Sequence, residues 1–178
     1  MPIANPPAAP KSAKRKAVIA VRRAPAPTQR RGHSHPELDY KRIFQAGPLE
    51  RIEMVKAGLP AAQAKRIIAD LQISTNVAGS LVYVPISTFN RKVKNEEVLT
   101  PDISERFLGL AKLIGQVQTM VDESGAPEDF DAKAWTARWL NEPLPAFGGA
   151  APVELMDTME GQALVSATIA RIQSGAYA

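Results

Sequence analysis

A single stripe of apolar residues between residues 101 and 121 constrains the fold of this chain more than any other feature. Thr100 and Pro101 stand directly before it, and both are typical of a helix start. The pattern therefore predicts one long helix that forms the spine of the core. The apolar members recur at spacings of three and four, as on one face of an α-helix: Ile103, Phe107, Leu110, Ile114, Val117 and Val121.

Shorter segments before this stripe repeat the helical period. Apolar residues spaced by three and four within 48–59, and again within 64–71, predict two amphipathic helices. A third segment runs from Ser74 to Val82 and breaks at Pro85, and a short basic segment follows it. Alternation with a period of two is limited to the ambiguous stretch SLVYVPI that begins at Ser80. The sequence therefore predicts an all-α fold.

The segment after an acidic linker near 123–128 combines helical spacing with aromatic residues. It carries Trp135 and Trp139 and ends before two prolines, with Phe147 a few residues later. These three aromatic side chains could form an exposed recognition patch. An aromatic stripe at helical spacing is more often part of a core, and we favour that interpretation.

The last forty residues carry several turn and cap signals. Gly148 and Gly149 permit a tight turn, and Pro152 then opens a helix of one or two turns. Asp157, with Glu160 three residues later, predicts a capping box for a final helix. Gly175 is expected to close that helix.

The positive charge of the chain is concentrated near its beginning. Residues 1–35 hold eight Lys or Arg and no acid, whereas residues 36–178 hold fourteen Lys or Arg against eighteen acids. Seven of the fifteen prolines also lie within residues 1–40. This composition predicts a disordered basic arm, and its charge suits nucleic acid. A solvated leader without a partner explains the same composition equally well.

Several classes of function are disfavoured by what the sequence lacks. Without cysteine, neither a disulfide framework nor a thiolate metal site is possible, and a reducing cytoplasm is the expected compartment. The longest uncharged run, 71–90, is too polar to span a membrane, and we find no targeting signal. His33 and His35 have no further ligand at metal spacing. Without a phosphate loop or a nucleophile motif, we expect neither an enzyme nor a cofactor.

The stretch from Trp139 to Ala178 carries the most specific motif of the chain: WLNEPLPAFGGAAPVELMDTMEGQALVSATIARIQSGAYA. It resembles the toxin-binding domain of the Xre/MbcA/ParS antitoxins. Their shared pattern is a Trp-Leu helix end, a Pro-x-Pro-Ala-x-Gly-Gly turn, a Pro-x-x-Leu helix, an acidic-Thr-x-x-Gly junction and a last helix ending Arg-Ile-x-x-Gly-x-Tyr. Phe147 stands where the family usually has Leu.

The resemblance continues more weakly over residues 58–121, where the family carries an Xre-like helix-turn-helix. It implies that Gly79 is the small residue at the crossing of the two helices. The turn position usually given to Gly falls on Tyr83, which tolerates a left-handed backbone poorly. Either the turn is remodelled or the module has lost DNA binding. The segment STFNRK takes the place of the recognition helix, and the implied DNA-binding residues are Ser87, Thr88, Asn90, Arg91, Lys92 and Lys94.

The resemblance implies that the chain is the antitoxin of a type II toxin-antitoxin system. Its C-terminal region would cover the active site of a RES-type, ADP-ribosyltransferase-like toxin that consumes NAD or transfers ADP-ribose. It would also repress its own operon by binding operator DNA. Members are typically homodimers within a larger complex with the toxin, and the stripe of 101–121 is the expected dimer surface. The implied toxin-binding residues are Pro145, Phe147, Gly148, Gly149, Arg171, Gly175, Tyr177 and Ala178.

Three parts follow from this interpretation: a basic arm over 1–45, a helix-turn-helix and dimerisation module over 46–123, and a toxin-binding domain over 124–178. The aromatic ring of Tyr177 so close to the Ala178 carboxylate suggests a tail that fills a pocket of the partner. The rival hypothesis is a DNA-binding transcriptional regulator without a toxin, which binds nucleic acid through its basic arm. A toxin gene beside this one would favour the antitoxin.

Overall fold

A computed structural model of the chain describes residues 38–125 and 129–173, all of which belong to one compact unit, His35–Ala178. Within these ranges the chain is helical, and its one pairing of β type is an isolated bridge between Pro60 and Val98. The all-α prediction is confirmed. The α-helices are α1 Tyr40–Gln45, α2 Pro48–Ala57, α3 Ala61–Asp70, α4 Thr75–Val82, α5 Ile86–Lys94, α6 Pro101–Ser124, α7 Ala132–Asn141 and α8 Met159–Gln173. Two short 3-10 helices, Pro145–Phe147 and Pro152–Leu155, lie between α7 and α8.

Helix α6 is the spine of the core, as its apolar stripe predicts. The stripe is buried inside the single chain, with Phe107, Leu110 and Ile114 fully inaccessible to solvent. The helices α1, α2, α3, α7 and α8 all pack against α6. The prediction that this stripe forms a dimer surface is therefore wrong, because the helices of the same chain already cover it.

Thr100 is the N-cap residue of α6, and Pro101 occupies its first turn. The side chain of Thr100 makes no hydrogen bond to the helix amides. Its hydroxyl instead binds the carboxylate of Asp102, and this hydrogen bond is the main reason why the pKa of Asp102 lies below its usual value. The helix start is thus where the sequence predicts it, but it is stabilised by a different contact.

Helix α1 belongs to the folded body, although the sequence analysis assigns its residues to the arm. Tyr40 and Ile43 are buried against α6, and Asp39 caps the helix by accepting a hydrogen bond from Arg42 N. The backbone of Tyr40 approaches α6 so closely that a Cβ atom on Gly115 would lie 2.0 Å from its carbonyl oxygen. The arm therefore cannot extend to residue 45.

Helices α4 and α5 form the pair that corresponds to a helix-turn-helix. Phe89 of α5 is buried and stacks on Phe107 of α6, with ring centroids 6.3 Å apart, and this contact anchors the pair to the core. Gly79 does not have the expected role, because a Cβ atom added there would meet nothing within 4 Å. Ala78, which is buried, is the small residue that packs inward.

The region from α7 to α8 packs against α6. Asp131 caps α7 by accepting a hydrogen bond from Ala134 N at 3.0 Å. Gln116 of α6 and Ser166 of α8 hydrogen-bond to each other side chain to side chain at 2.8 Å, and this polar contact joins the two helices. No helix within the described residues is long and apolar enough to cross a bilayer.

The predicted capping box of α8 is wrong by one residue. Thr158, and not Asp157, places its hydroxyl 3.1 Å from Gly161 N as the acceptor for the first turn. Gly161 is required for a steric reason, since an added Cβ atom would lie 1.9 Å from the carbonyl oxygen of Leu155. The Thr-x-x-Gly junction is thus a cap combined with a close approach of two backbone segments.

Candidate interaction surfaces

Helix α5 presents a continuous polar face to solvent. Ser87, Asn90, Arg91 and Lys94 are exposed, and their spacing of three and four residues puts them on the same side of the helix. Phe89 points in the opposite direction, into the core. Arg91 and Asn90 are the side chains of this face that could donate to base edges, and Lys94 and Ser87 could bind phosphates.

The remaining two predicted DNA-binding residues are less accessible to a DNA molecule. Thr88 is half-buried. Lys92 is also half-buried and binds the carboxylate of Glu97 at 2.9 Å. That hydrogen bond, together with one from Asn95, lowers the pKa of Glu97. Four of the six predicted residues therefore form the exposed face, whereas Lys92 is engaged within the chain.

Tyr83 keeps the left-handed backbone that the turn between α4 and α5 requires, with φ 51° and ψ 21°. The turn is therefore not remodelled at this residue. Because it keeps the conformation usually given to Gly, the Tyr side chain by itself does not imply that DNA binding is lost. A side chain in this conformation costs roughly 1–2 kcal/mol relative to glycine. The ring of Tyr83 makes contacts that offset part of this strain, and none of them is visible in the sequence.

The contacts of Tyr83 involve α6 and the junction before α8. The guanidinium of Arg106 lies 4.2 Å from the centroid of the Tyr83 ring. The Tyr83 hydroxyl is 3.4 Å from the Asp157 carboxylate, and Nε of Arg106 donates to the Asp157 carbonyl oxygen at 3.1 Å. We call these three residues the Tyr83 cluster. Sequence reasoning identified the strain at Tyr83 but missed both partners.

The segment between α7 and α8 forms a tight exposed turn, as the two glycines predict. Gly148 and Gly149 have φ angles of 67° and 88°, and both amides donate back into the turn, to the carbonyl oxygens of Pro145 and Leu144 at 3.0 Å. Pro145, Gly148 and Gly149 are exposed, and a Cβ atom on either glycine would meet nothing within 4 Å. The turn is therefore well ordered by its own hydrogen bonds and free of covering side chains.

The aromatic side chains near this turn are mainly part of the core. Trp135 and Trp139 stack on each other with centroids 6.1 Å apart. Both are half-buried, as is Phe147, and all three pack against the buried cluster. This arrangement supports the core interpretation.

Arg171 lies on the exposed side of α8, in its last turn. The other predicted tail residues, Gly175, Tyr177 and Ala178, lie outside the described residues, and so do His33 and His35. Among the residues that the structure does describe, no three potential ligands are grouped so that they could hold a metal ion.

Comparison with known proteins gives two family matches and two relatives. Residues 128–175 match the Antitoxin Xre/MbcA/ParS C-terminal toxin-binding domain, and residues 50–112 match the Antitoxin Xre-like helix-turn-helix domain. The chain is 46% identical over 147 residues to the Prs ADP-ribosylating antitoxin of Sphingobium sp. (strain YBL2), which covers 83% of this chain and 92% of that protein. It is 24% identical over 92 residues, or 52% of each chain, to the Antitoxin Xre of Pseudomonas putida KT2440.

Proposed function

Since this chain belongs to the Xre/MbcA/ParS antitoxin family and is the antitoxin of a toxin-antitoxin pair, we propose that it inhibits an ADP-ribosylating toxin of the RES type. The observation that supports this proposal is the similarity to the Sphingobium protein, which is named Prs ADP-ribosylating antitoxin. The alignment with this chain covers 92% of that protein. The sequence alone leaves open whether the toxin degrades NAD or transfers ADP-ribose. The relative's name favours transfer of ADP-ribose.

The turn at Gly148 and Gly149 and the helix α8 supply the toxin-docking surface in this proposal. An exposed turn that is held by its own hydrogen bonds binds without a large loss of conformational freedom. The absence of side chains on the two glycines lets a partner backbone approach closely. Pro145 and the exposed edge of Phe147 add apolar contact beside it.

The last turn of α8 and the segment that follows it act in this proposal as a plug for the toxin's active site. Arg171 would pair with acceptor groups, such as a carboxylate, at the edge of the toxin's NAD site, because a guanidinium donates two parallel hydrogen bonds to a carboxylate. Tyr177 would stack where a nicotinamide or adenine ring binds. Gly175 and Ala178 flank this ring in the chain and complete the proposed contact.

The exposed face of α5 is the proposed operator-binding surface. Arg91 and Asn90 would contact base edges, while the basic arm would add phosphate contacts that depend on salt. A regulator without a toxin does not account for the match to a toxin-binding domain. We therefore retain DNA binding as a second activity of the antitoxin and propose autorepression of its operon.

A homodimer is the proposed form of the antitoxin, within a larger complex with the toxin. Because the stripe of α6 is internal, the dimer contact has to use exposed side chains. Leu49 and Ile52 of α2 are among the most exposed large apolar residues, and no residue of α2 is fully buried within the chain. We further propose that the protein has no catalytic activity of its own and acts in the cytoplasm.

Two matched arginine substitutions, Arg171→Ala and Arg91→Ala, and one tyrosine substitution, Tyr177→Ala, test this division of functions. Purified toxin is mixed with each antitoxin variant, and transfer of ADP-ribose from labelled NAD to an acceptor protein is followed. Arg171→Ala and Tyr177→Ala are expected to inhibit poorly at equimolar ratio, whereas Arg91→Ala inhibits like the wild type. In gel shifts with DNA from upstream of the gene, only Arg91→Ala is expected to bind more weakly. Full inhibition by both tail variants would contradict the plug.

A further inference from the structure

A groove of about 440 Å³ lies between α2 and the start of α8, with α6 as its floor. It borders neither the turn at Gly148 and Gly149 nor the exposed face of α5. A cavity of this size is typical of a site for a small ligand and is much larger than the voids that remain in a packed core. Its walls are mainly aliphatic, and their apolar members are Ile43, Pro48, Ile52, Val55, Leu108 and Met159.

Two positively charged side chains line this groove without a counter-ion. Lys112 of α6 and Arg51 of α2 are both half-buried, and within the described part of the chain no carboxylate forms an ion pair with either of them. Arg51 is held in place by a hydrogen bond from its Nη1 to the Ala46 carbonyl oxygen. Burial lowers the pKa of Lys112, and the charge of Arg51 lowers it further. Two like charges kept close together and partly out of water attract an anion.

The other charges of the lining leave the groove with a net charge of one. Lys56 is exposed and lies 3.8 Å from the carboxylate of Glu53 on the same helix. Glu105 also lines the groove, but it precedes Lys112 by seven residues, which is about 10 Å along α6. Counting Arg51, Lys112 and Glu105, the lining is singly positive. A ligand with one negative charge would neutralise it, whereas a dianion would leave an excess of negative charge.

The walls suit an alkyl chain better than a peptide. The floor of the groove is the middle of α6, whose backbone amides and carbonyl groups are engaged in their own helix, so an extended peptide would leave its own amides without partners. Among the described lining residues, Gln162 is the one uncharged polar side chain, and its Nε2 already donates to the Met156 carbonyl oxygen at 3.1 Å. An alkyl chain needs no hydrogen bonds and gains from contact with aliphatic side chains.

From these features we propose that the groove between α2, α6 and α8 binds a fatty-acid anion. The carboxylate would lie between Lys112 and Arg51, and the alkyl chain would follow the aliphatic walls. The bound acid would join α2 to the start of α8 across α6 and would stabilise the folded antitoxin in proportion to its saturation. Leu49, the most exposed apolar residue of α2, does not line the groove and is left for the proposed dimer contact.

Calorimetric titration of the full chain with dodecanoate, below its critical micelle concentration, tests this proposal. One molecule is expected to bind per chain, with a dissociation constant at or below about 100 µM. Decanoate should bind about fifteenfold more weakly, because each buried methylene group strengthens binding about fourfold. Dodecyltrimethylammonium has the same chain with the opposite charge and should bind at least about tenfold more weakly than dodecanoate.

The chain offers a matched pair of lysines for this titration. Lys112→Met removes the charge and keeps an unbranched side chain in the groove, so dodecanoate should bind at least about tenfold more weakly. Lys65→Met changes the net charge equally, but Lys65 is exposed on α3 and does not line the groove, and this variant should bind like the wild type. Met159→Glu adds a carboxylate at the edge of the groove, in the first turn of α8, where an acid is tolerated. It should also weaken binding.

Three results would overturn the proposal: equal affinity of Lys112→Met and Lys65→Met for dodecanoate, equal affinity of the wild type for the cationic surfactant, or binding of several molecules per chain. Light scattering in parallel gives the oligomeric state. Binding that occurs only after dilution to the monomer would show that a second copy fills the groove, which contradicts a ligand site. Thermal unfolding shows whether each variant is folded, and Met159→Glu provides the test if Lys112→Met is not. The titration contains neither toxin nor DNA, so its outcome leaves the proposed function unaffected.

Discussion

Gly115→Ala is expected to destabilise the protein, because α1 lies directly on α6 at this residue. A Cβ atom at residue 115 would be 2.0 Å from the carbonyl oxygen of Tyr40 and 2.8 Å from Cβ of Phe44. The first of these contacts is with backbone, so a change of side-chain rotamer cannot relieve it. Either α1 moves outward as a unit or it leaves α6.

The magnitude follows from two opposing effects. Alanine in a helix interior is about 1 kcal/mol more favourable than glycine. Displacing a packed helix by one extra methyl group costs about 1–3 kcal/mol, and complete undocking would expose Tyr40 and Ile43 at about 1.5–3 kcal/mol each. Because the clash involves backbone, we expect a cost near the upper end and a net loss of about 2 kcal/mol.

Gly79→Ala is the control that shows the gain in helix propensity without a steric clash. Gly79 lies within α4, and an added Cβ atom meets nothing within 4 Å. This variant should gain about 0.5–1 kcal/mol. Urea unfolding followed by far-UV circular dichroism gives both free energies of unfolding. If Gly115→Ala were as stable as Gly79→Ala, α1 would not be docked on α6 as described, and the assignment of residues 40–45 to the folded body would fail.

Three further predictions follow from the helix caps, the Asp102 carboxylate and the arm. Thr158→Ala should lower the free energy of unfolding by about 1 kcal/mol in urea, whereas Glu160→Gln should change it by less than about 0.5 kcal/mol. Because the pKa of Asp102 is lowered in the folded protein, its stabilising effect is present above the unfolded pKa and disappears as the pH falls through the folded pKa. In urea unfolding, the free energy of unfolding of Thr100→Val should therefore be lower than that of the wild type near neutral pH. The two values should converge as the pH falls below about 4. Deleting residues 1–36 removes eight positive charges and should weaken operator binding and flatten its salt dependence, measured by anisotropy at several salt concentrations, with inhibition of the toxin unchanged.

The helices can be predicted from the sequence because the spacing of apolar residues, about 3.6 per turn, does not depend on which part of the protein the helix packs against. The stripe from Ile103 to Val117 shows that one face of α6 is buried. It does not show what covers that face, and the prediction of a dimer surface was wrong for this reason. Helix α1 was missed because six residues next to a proline-rich segment give too short a pattern, although Tyr40 and Ile43 are its buried residues.

The parts of the candidate site that could not be predicted from the sequence are those that depend on contacts between residues far apart in the chain. The exposed face of α5 follows from helical spacing once Phe89 is placed inside, and four of the six proposed DNA-binding residues lie on that face. Their role in binding DNA stays a prediction. The partner of Tyr83 is Asp157, 74 residues later, and no local pattern points to it. The choice between Asp157 and Thr158 as cap depends on how closely Gly161 approaches Leu155, which is a property of packing.

Direct titration of the toxin with the antitoxin tests the central claim. Purified toxin is incubated with labelled NAD, an acceptor protein and increasing amounts of the full chain, and the ADP-ribose transferred to the acceptor is measured. The account predicts that transfer falls in proportion to added antitoxin and is abolished once every toxin molecule has its partner. Undiminished transfer in the presence of a saturating, stably bound antitoxin would contradict the claim that this protein inhibits the enzyme by covering its active site.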